Sequence, residues 1–402
     1  MNATPIDSRW AGRRNEKLIL KILKEQGAMS QTQLCRKLGL GSSTASYIIA
    51  RLRDKGLLTE KQGVSNRRGP KPTILSINNR GRFILGVEIN PSFLLIGAFD
   101  FNGDMIEKKK ISLGDDHSPE RVVSILAENL QNLLQAQSIE EDLILGIGVS
   151  LSGSVTSQGR VQMSSTLGWE DVPLKDMISD KLAPPVTVFG TAVRVLAEIG
   201  LDPELASASV LYLNVADGVG STLWMDDRLI SGATGKFGEL GHIVVDPDGP
   251  QCGCGQQGCL EAMISGPAIA DRIKKELPDH PQSTLSDRIP PEMKTPELIV
   301  EQWASALADG DEYAASIRDF IAETLARIAA VAINLYDPDT IILAGYVASA
   351  CPDQIADAIK NRMPTDVYDD KVRDISIRTA KSGDESLIRG SAIAILHEAL
   401  KT

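Results

Sequence analysis

The chain has 402 residues, with 42 basic and 53 acidic side chains and a formal net charge of −11. Hydrophobic residues make up 43% and charged residues 24%, the balance of an ordinary soluble protein, and the length allows two or three domains. No apolar run approaches the roughly 18 residues of a membrane span. Met1 to Asn15 has no hydrophobic signal core, and five cysteines in so long a chain are no disulfide framework. These features predict a cytoplasmic protein without membrane insertion. The net charge conceals an asymmetry: residues 1–80 carry 16 Lys/Arg and 5 Asp/Glu, net +11, and residues 81–402 carry 26 and 48, net −22. A basic front on an acidic body predicts a polyanion-binding module fused to a second function.

The first 80 residues read as three short helices and a hairpin. Leu18, Ile19, Ile22 and Leu23 repeat at helical spacing before Gly27. Ser30 and Gln33 have the spacing of a capping box opening a second helix, which buries Leu34 and Leu38 and stops near Gly39. A third helix starts at Ser42 or Ser43, with Ala45, Ile48, Ile49 and Leu52 on its apolar face and Gly56 past its end. Its other face offers Ser43, Thr44, Ser46, Tyr47 and Arg51, groups suited to base edges in a major groove. Leu57–Lys61 and Thr73–Ile77 read as strands flanking a loop with Arg67, Arg68 and Lys71. Helix-turn-helix spacing, a basic wing and the +11 charge together predict DNA binding: Arg67, Arg68 and Lys71 on phosphates, and Ser42, Ser43, Thr44, Ser46, Tyr47 and Arg51 on the third helix. A helical interaction domain whose charges are only solvated is the plainer alternative.

From Phe83 the pattern becomes α/β. Phe83–Ile89, Leu94–Phe99 and Met105–Ser112 read as strands joined by tight turns, followed by a helix at Pro119–Gln137 and a buried strand at Leu143–Ser150. A similar order returns: strands at Ser209–Val215, Ser221–Met225 and Arg228–Ile230, helices around 298–336, and a strand at Thr340–Ala344. This predicts a duplicated unit, two lobes each built on a mixed sheet. The stretch containing Pro278, Pro281, Pro290 and Pro291 reads as a loop between helices.

His242, Cys252, Cys254 and Cys259 stand close in sequence, with Gly253, Gly255 and Gly258 among the cysteines. Three thiolates and an imidazole complete a tetrahedral Zn²⁺ shell with no open position, so the predicted role is structural. Free thiols or a redox pair are the alternative.

At this cluster the sequence resembles the ROK family of sugar kinases and sugar-responsive repressors. It is most similar to the subgroup with an N-terminal winged helix-turn-helix, the N-acetylglucosamine and xylose repressor kind. Gly218-Val219-Gly220, Gly238 to His242, Cys252 to Glu261, Gly146 to Gly153 and Arg389 to Ala392 carry the resemblance. It implies a winged helix-turn-helix (1–80) before an actin-like, ribonuclease H-like, two-lobed sugar-kinase fold. The first lobe would span 81–195, with 386–402 packing back on it, and the second 196–385, with the zinc site and a dimerisation surface. It also implies a sugar or sugar phosphate in the cleft, held by Glu239, His242 and Glu261, with Gly153 and Trp169 lining it; core burial is the other reading of Trp169. The family's kinases use the Asp of an Asn-Asp pair as catalytic base, and here that pair falls on Phe189-Gly190. A phosphate hairpin of Asp-x-Gly-Gly-Thr type reads Glu88-Ile89-Asn90-Pro91-Ser92, and Ala344-Gly345-Tyr346 puts an aromatic where kinases keep glycine. Arg194 is a solvated helix charge or, alternatively, a phosphate contact. The expectation is a non-enzymatic regulator, a repressor of sugar-metabolism genes, acting as a homodimer or dimer of dimers on a DNA operator. A sugar kinase and a regulator controlled by a protein partner are the alternatives.

Overall fold

The +11 segment folds as three helices and a small sheet in the computed structural model, which describes residues 8–63, 72–233 and 235–401. Helix α1 (Ser8–Gln26) buries Ile19, Leu20 and Leu23. Strand β1 (Met29–Ser30) leads to α2 (Gln31–Leu38), whose N-terminus carries the capping box: the Gln33 amide donates to Ser30 Oγ and the Ser30 amide donates to Gln33 Oε1. Helix α3 (Ser42–Asp54) buries Ala45, Ile48, Ile49 and Leu52, an i, i+3, i+4, i+7 stripe. Strands β2 (Leu58–Gln62) and β3 (Thr73–Ile77) form the hairpin, and β1 pairs with the other edge of β3, giving the order β1-β3-β2. Two residues are too few to show a strand period, so β1 had no sequence signal. Arg67, Arg68 and Lys71 lie outside the described residues.

The next sheet is built from β4 (Phe83–Ile89), β5 (Phe93–Asp100), β6 (Met105–Ser112), β7 (Ile144–Leu151) and β11 (Val186–Phe189), with helix α4 (Pro119–Gln137) before β7. Between β7 and β11 lie a small three-stranded sheet, β8 (Ser154–Val155), β9 (Val161–Ser164) and β10 (Trp169–Val172), and helix α5 (Leu174–Ser179); helix α6 (Arg194–Leu201) follows β11. The order is β11-β7-β4-β5-β6: an antiparallel meander with two parallel strands added beside β4. Alternation assigns the two faces of β4 and β7. Phe83, Leu85, Val87, Ile147, Val149 and Leu151 share a core with α4. Gly86, Gly146, Gly148 and Ser150 point the other way, onto the C-terminal helix Ser386–Leu400. A Cβ on Gly148 would lie 2.9 Å from Ser391 Cβ, closer than side-chain carbons approach. The small residues of the Gly-Ile-Gly-Val-Ser run thus make the bed in which that helix lies.

The second unit repeats the plan. Strands β12 (Val210–Val215), β13 (Val219–Met225) and β14 (Arg228–Leu229) form a meander. Helices α7 (Leu260–Ile264), α8 (Gly266–Glu276), α9 (Leu285–Arg288), α10 (Pro296–Ala308) and α11 (Glu312–Tyr336) lead to β15 (Thr340–Ala344). Helix α12 (Pro352–Asp366), β16 (Ser376–Thr379) and the C-terminal helix α13 (Ser386–Leu400) complete the chain. The sheet order β14-β13-β12-β15-β16, with β15 and β16 parallel to β12, matches that of the first unit. The proline-rich stretch contains α9, so it is more than a loop.

The chain divides into Met1–Pro203 with Asp384–Thr402, and Glu204–Gly383. The boundary expected between 195 and 196 would cut through α6, which packs on α13 and stays with the first unit. Among the described residues no helix is long and apolar enough to cross a membrane.

Candidate functional site

The N-terminal half of α3 exposes Ser42, Ser43, Thr44, Ser46 and Tyr47, the last with 65% of its surface accessible. Gln31, the first residue of α2, reaches across and donates to Ser46 Oγ at 2.7 Å, fixing the two helices at the turn. These are short hydrogen-bonding groups on a helix whose opposite face is anchored in a core. Arg51 departs from expectation. Its guanidinium lies 3.1 Å from Glu16 Oε1 of α1, and Lys55 Nζ lies 2.7 Å from Glu16 Oε2. A helical wheel places Arg51 on the outer face but cannot show a carboxylate arriving from another helix.

The second unit gathers His242, Cys252, Cys254 and Cys259, whose ligand atoms all lie within 4.8 Å of one another. His242 ends a short 3-10 turn, Leu240–His242, and Cys259 caps α7. Between them the Val245 amide donates to Gly258 O and the Cys252 amide to Gln256 O, each at 2.8 Å. Gly255 and Gly258 take positive φ in this knuckle, whereas Gly253 does not. Cys252 Sγ is 3.7 Å from His242 Nδ1, and Cys254 Sγ is 3.6 Å from Cys259 Sγ. Ligands about 2.0–2.3 Å from a shared Zn²⁺ stand about 3.3–3.8 Å apart, a spacing these two pairs already have. Burial pushes the Cys259 thiol up to about 12, with the other two sulfurs adding to the shift. The Gln256 amide holds Cys254 lower.

Glu239 is exposed immediately before the 3-10 turn, and Glu261 sits in the first turn of α7. Glu261 Oε2 accepts the Val219 amide at 3.0 Å. Gly218 permits this, because a Cβ there would stand 2.6 Å from the same oxygen. His242 and Glu261 are therefore braced from two sides, by the cysteine knuckle and by the Asp217-Gly218-Val219 turn. Gly153 and Trp169 belong to the first unit. Gly153 is exposed beside Ser152, whose carbonyl accepts from Ser164 Oγ at 2.6 Å. Trp169 is 4% exposed, and its indole N–H donates to His117 O at 2.7 Å. Its polar atom is thus satisfied within its own unit.

Three segments bear on phosphoryl transfer: the end of β11, the β4–β5 turn and the turn after β15. Phe189 ends β11 and Gly190 caps the following turn, so neither supplies a carboxylate. In the β4–β5 turn the Asn90 and Phe93 amides serve each other's carbonyls, the Ser92 amide donates to Asn90 Oδ1, and Pro91 has none. Arg194 is engaged with Ser386 Oγ, so it is no solvated charge. Burial raises the Glu88 carboxyl above its usual range, against the opposing pull of Arg194. After β15 the Tyr346 hydroxyl donates to Asp217 Oδ1 at 2.7 Å and lies against Gly266, where a Cβ would collide with it. Burial and the Asp217 carboxylate raise the phenol well above its ordinary value. A glycine-bearing hairpin beside the N-terminus of α8 is the type of place where a phosphate binds, and here an aromatic ring fills it. The sequence showed Tyr346 as an aromatic out of place; that it reaches Asp217 depended on the folded geometry.

These features define a class: a winged helix-turn-helix module on a duplicated, actin-like sugar-kinase body with a cysteine–histidine knuckle. The chain belongs to the ROK family, whose model matches residues 84–398, and a MarR family model matches residues 14–69. It is 24% identical to a xylose repressor of Caldicellulosiruptor bescii over 96% of each chain. It is 26% identical to a glucokinase of Halalkalibacterium halodurans, over 67% of this chain and 82% of that one. A solved structure described as a ROK family transcriptional regulator, homolog of the E. coli MLC protein, superposes with a TM-score of 0.84 at 24% identity. It covers 97% of this chain and 98% of its own, so the shared fold includes the N-terminal module. Kinases and repressors are both relatives, and the fold alone does not separate them.

Proposed function

We propose that this protein is a sequence-specific DNA-binding transcriptional repressor of sugar-metabolism genes, responding to a carbohydrate or phosphosugar. Residues 1–80 grip the operator, and the two α/β units sense the ligand. The observation that carries the reading is the exposed face of α3: Ser42, Ser43, Thr44, Ser46 and Tyr47 over a helix pinned by Ala45, Ile48, Ile49 and Leu52. Arg67, Arg68 and Lys71 add phosphate contacts, and two copies of the chain read a two-fold symmetric site. Likeness to a xylose repressor along nearly the whole length supports the reading.

The ligand is held by Glu239, by Glu261 and by the His242 nitrogen that faces away from the sulfurs. His242, Cys252, Cys254 and Cys259 hold a structural Zn²⁺, which when bound cross-links the knuckle and fixes the imidazole. The ligand shifts DNA affinity only through unequal affinity for the two states of the repressor. Phosphoryl transfer is disfavoured by Phe189-Gly190 at the base position and by Tyr346 against Gly266.

Footprinting on genomic fragments, repeated with a panel of sugars and sugar phosphates, tests this. The expected result is a protected two-fold site released by one compound, with no sugar-dependent ATP turnover in the same preparation. Absence of any protected site at moderate salt overturns the regulator. A protein partner that alone releases the site transfers control from the sugar.

A further inference from the structure

Glu16 lies in α1 at the position where its apolar stripe calls for a hydrophobic residue, one turn before Ile19 and Leu20 and two before Leu23. It is 6% exposed. A carboxylate taken out of water is costly unless paired, and an aliphatic side chain would fill this place without that cost. Its partners are Arg51 on the last turns of α3 and Lys55 just beyond them, one on each oxygen. Arg51 also lies over the Tyr47 ring, 5.8 Å from its centroid. The remaining cation of this helix end, Arg53, faces Glu60 of β2 at 3.6 Å. The end of α3 therefore presents cations each ion-paired with a carboxylate of the module, while its start presents neutral hydrogen-bonding groups.

We propose that Glu16 is a specificity-determining positioning residue. It holds α3 at the angle at which its N-terminal face meets base edges, and it withholds Arg51 and Lys55 from the phosphates of unrelated DNA. The reason is competition between two kinds of affinity. Each cation that reaches a phosphate adds binding to every sequence, steepening the salt dependence by about 0.9 in log K against log salt. Base contacts add binding to one sequence only. An internal carboxylate facing two cations suppresses the first kind without touching the second. The inference rests on the DNA-binding reading.

The test uses the full chain and two 30-base-pair duplexes, one carrying the site recovered by footprinting and one of scrambled sequence, titrated over a series of salt concentrations. Glu16→Gln is expected to bind the scrambled duplex more tightly, with a slope steeper by about 1–2. Its ratio of site to scrambled affinity is expected to fall about tenfold or more. Glu16→Asp, which keeps the charge, is expected to retain the wild-type slope. Arg51→Gln should leave the slope unchanged, because Arg51 is not on a phosphate. Unchanged slope and ratio in a folded Glu16→Gln protein overturn the inference. If Glu16→Gln does not fold, Arg51→Gln decides: an unchanged slope supports the inference, and a fall of about 0.9 overturns it. Wild-type protein that binds neither duplex instead overturns the DNA-binding reading on which it stands.

Discussion

Cys254 is the exposed member of the knuckle, with Cys252 and Cys259 buried, so it separates the metal's contribution from that of packing. Cys254→Ser removes one sulfur ligand while leaving the core of the unit unaltered. The expected result is a roughly tenfold or greater loss of bound zinc after dialysis, from about one per chain in the wild type, with a lower melting temperature. Elemental analysis beside a thermal scan checks it, and unchanged metal content would remove zinc from this site. The His242, Cys252, Cys254 and Cys259 cluster was legible because these residue types at this spacing are chemically restrictive. Glu16 and the Tyr346–Asp217 contact were not, because each pairs residues far apart in the chain: α1 with α3, and β12's turn with the end of β15. The ion pair of Arg51 with Glu16 was likewise beyond the reach of the helix face alone.

At the scale of elements, Asp311 joins two of them. It caps α11 by accepting the Ala314 amide at 2.9 Å on Oδ1. Oδ2 accepts the Thr284 amide at 2.6 Å, Ser283 Oγ at 2.9 Å and Thr284 Oγ1 at 3.0 Å, fastening the proline-rich stretch to the helix start. Burial pushes this carboxyl up, but those donors outweigh it and hold the acid below its ordinary 3.8. A carboxyl depressed on folding stabilises the native state fully above its unfolded value and loses that contribution as pH falls through the folded one. Asp311→Ala is expected to cost about 2–4 kcal/mol near neutral pH, from the lost cap and the stranded donors. The gap from wild type should narrow below about pH 4 in denaturant titrations. A gap independent of pH would show that the charge plays no part. α4 was readable because periodicity has room to show over 19 residues, and β15 because Thr340 opens onto a continuous apolar run closed by Ala344. The sheet of β8, β9 and β10 was missed because its strands have two to four residues. α6 was divided wrongly because nothing local records that it packs on α13.

For the whole molecule, the repeated sheet order was legible in outline from two strand–turn–strand sets at similar spacing. The sequence could not show which strands are parallel, since that depends on what each connecting helix covers. The bed of Gly86, Gly146, Gly148 and Ser150 has a consequence in time as well as in space. Its occupant, α13, is synthesised after every residue of Glu204–Gly383. While the ribosome works through that stretch, the sheet of the first unit waits with one face bare, apart from what chaperones cover. The second unit has all its strands and its own core once Gly383 has emerged. Ribosome-held chains stopped at Gly383, with a linker to clear the exit tunnel, should give a protease-resistant fragment from 204–383 and lose 81–203. Equal survival of both would mean that the first sheet holds without its helix. For this fold the chain is expected to mature from its middle outward, closing its earlier half last.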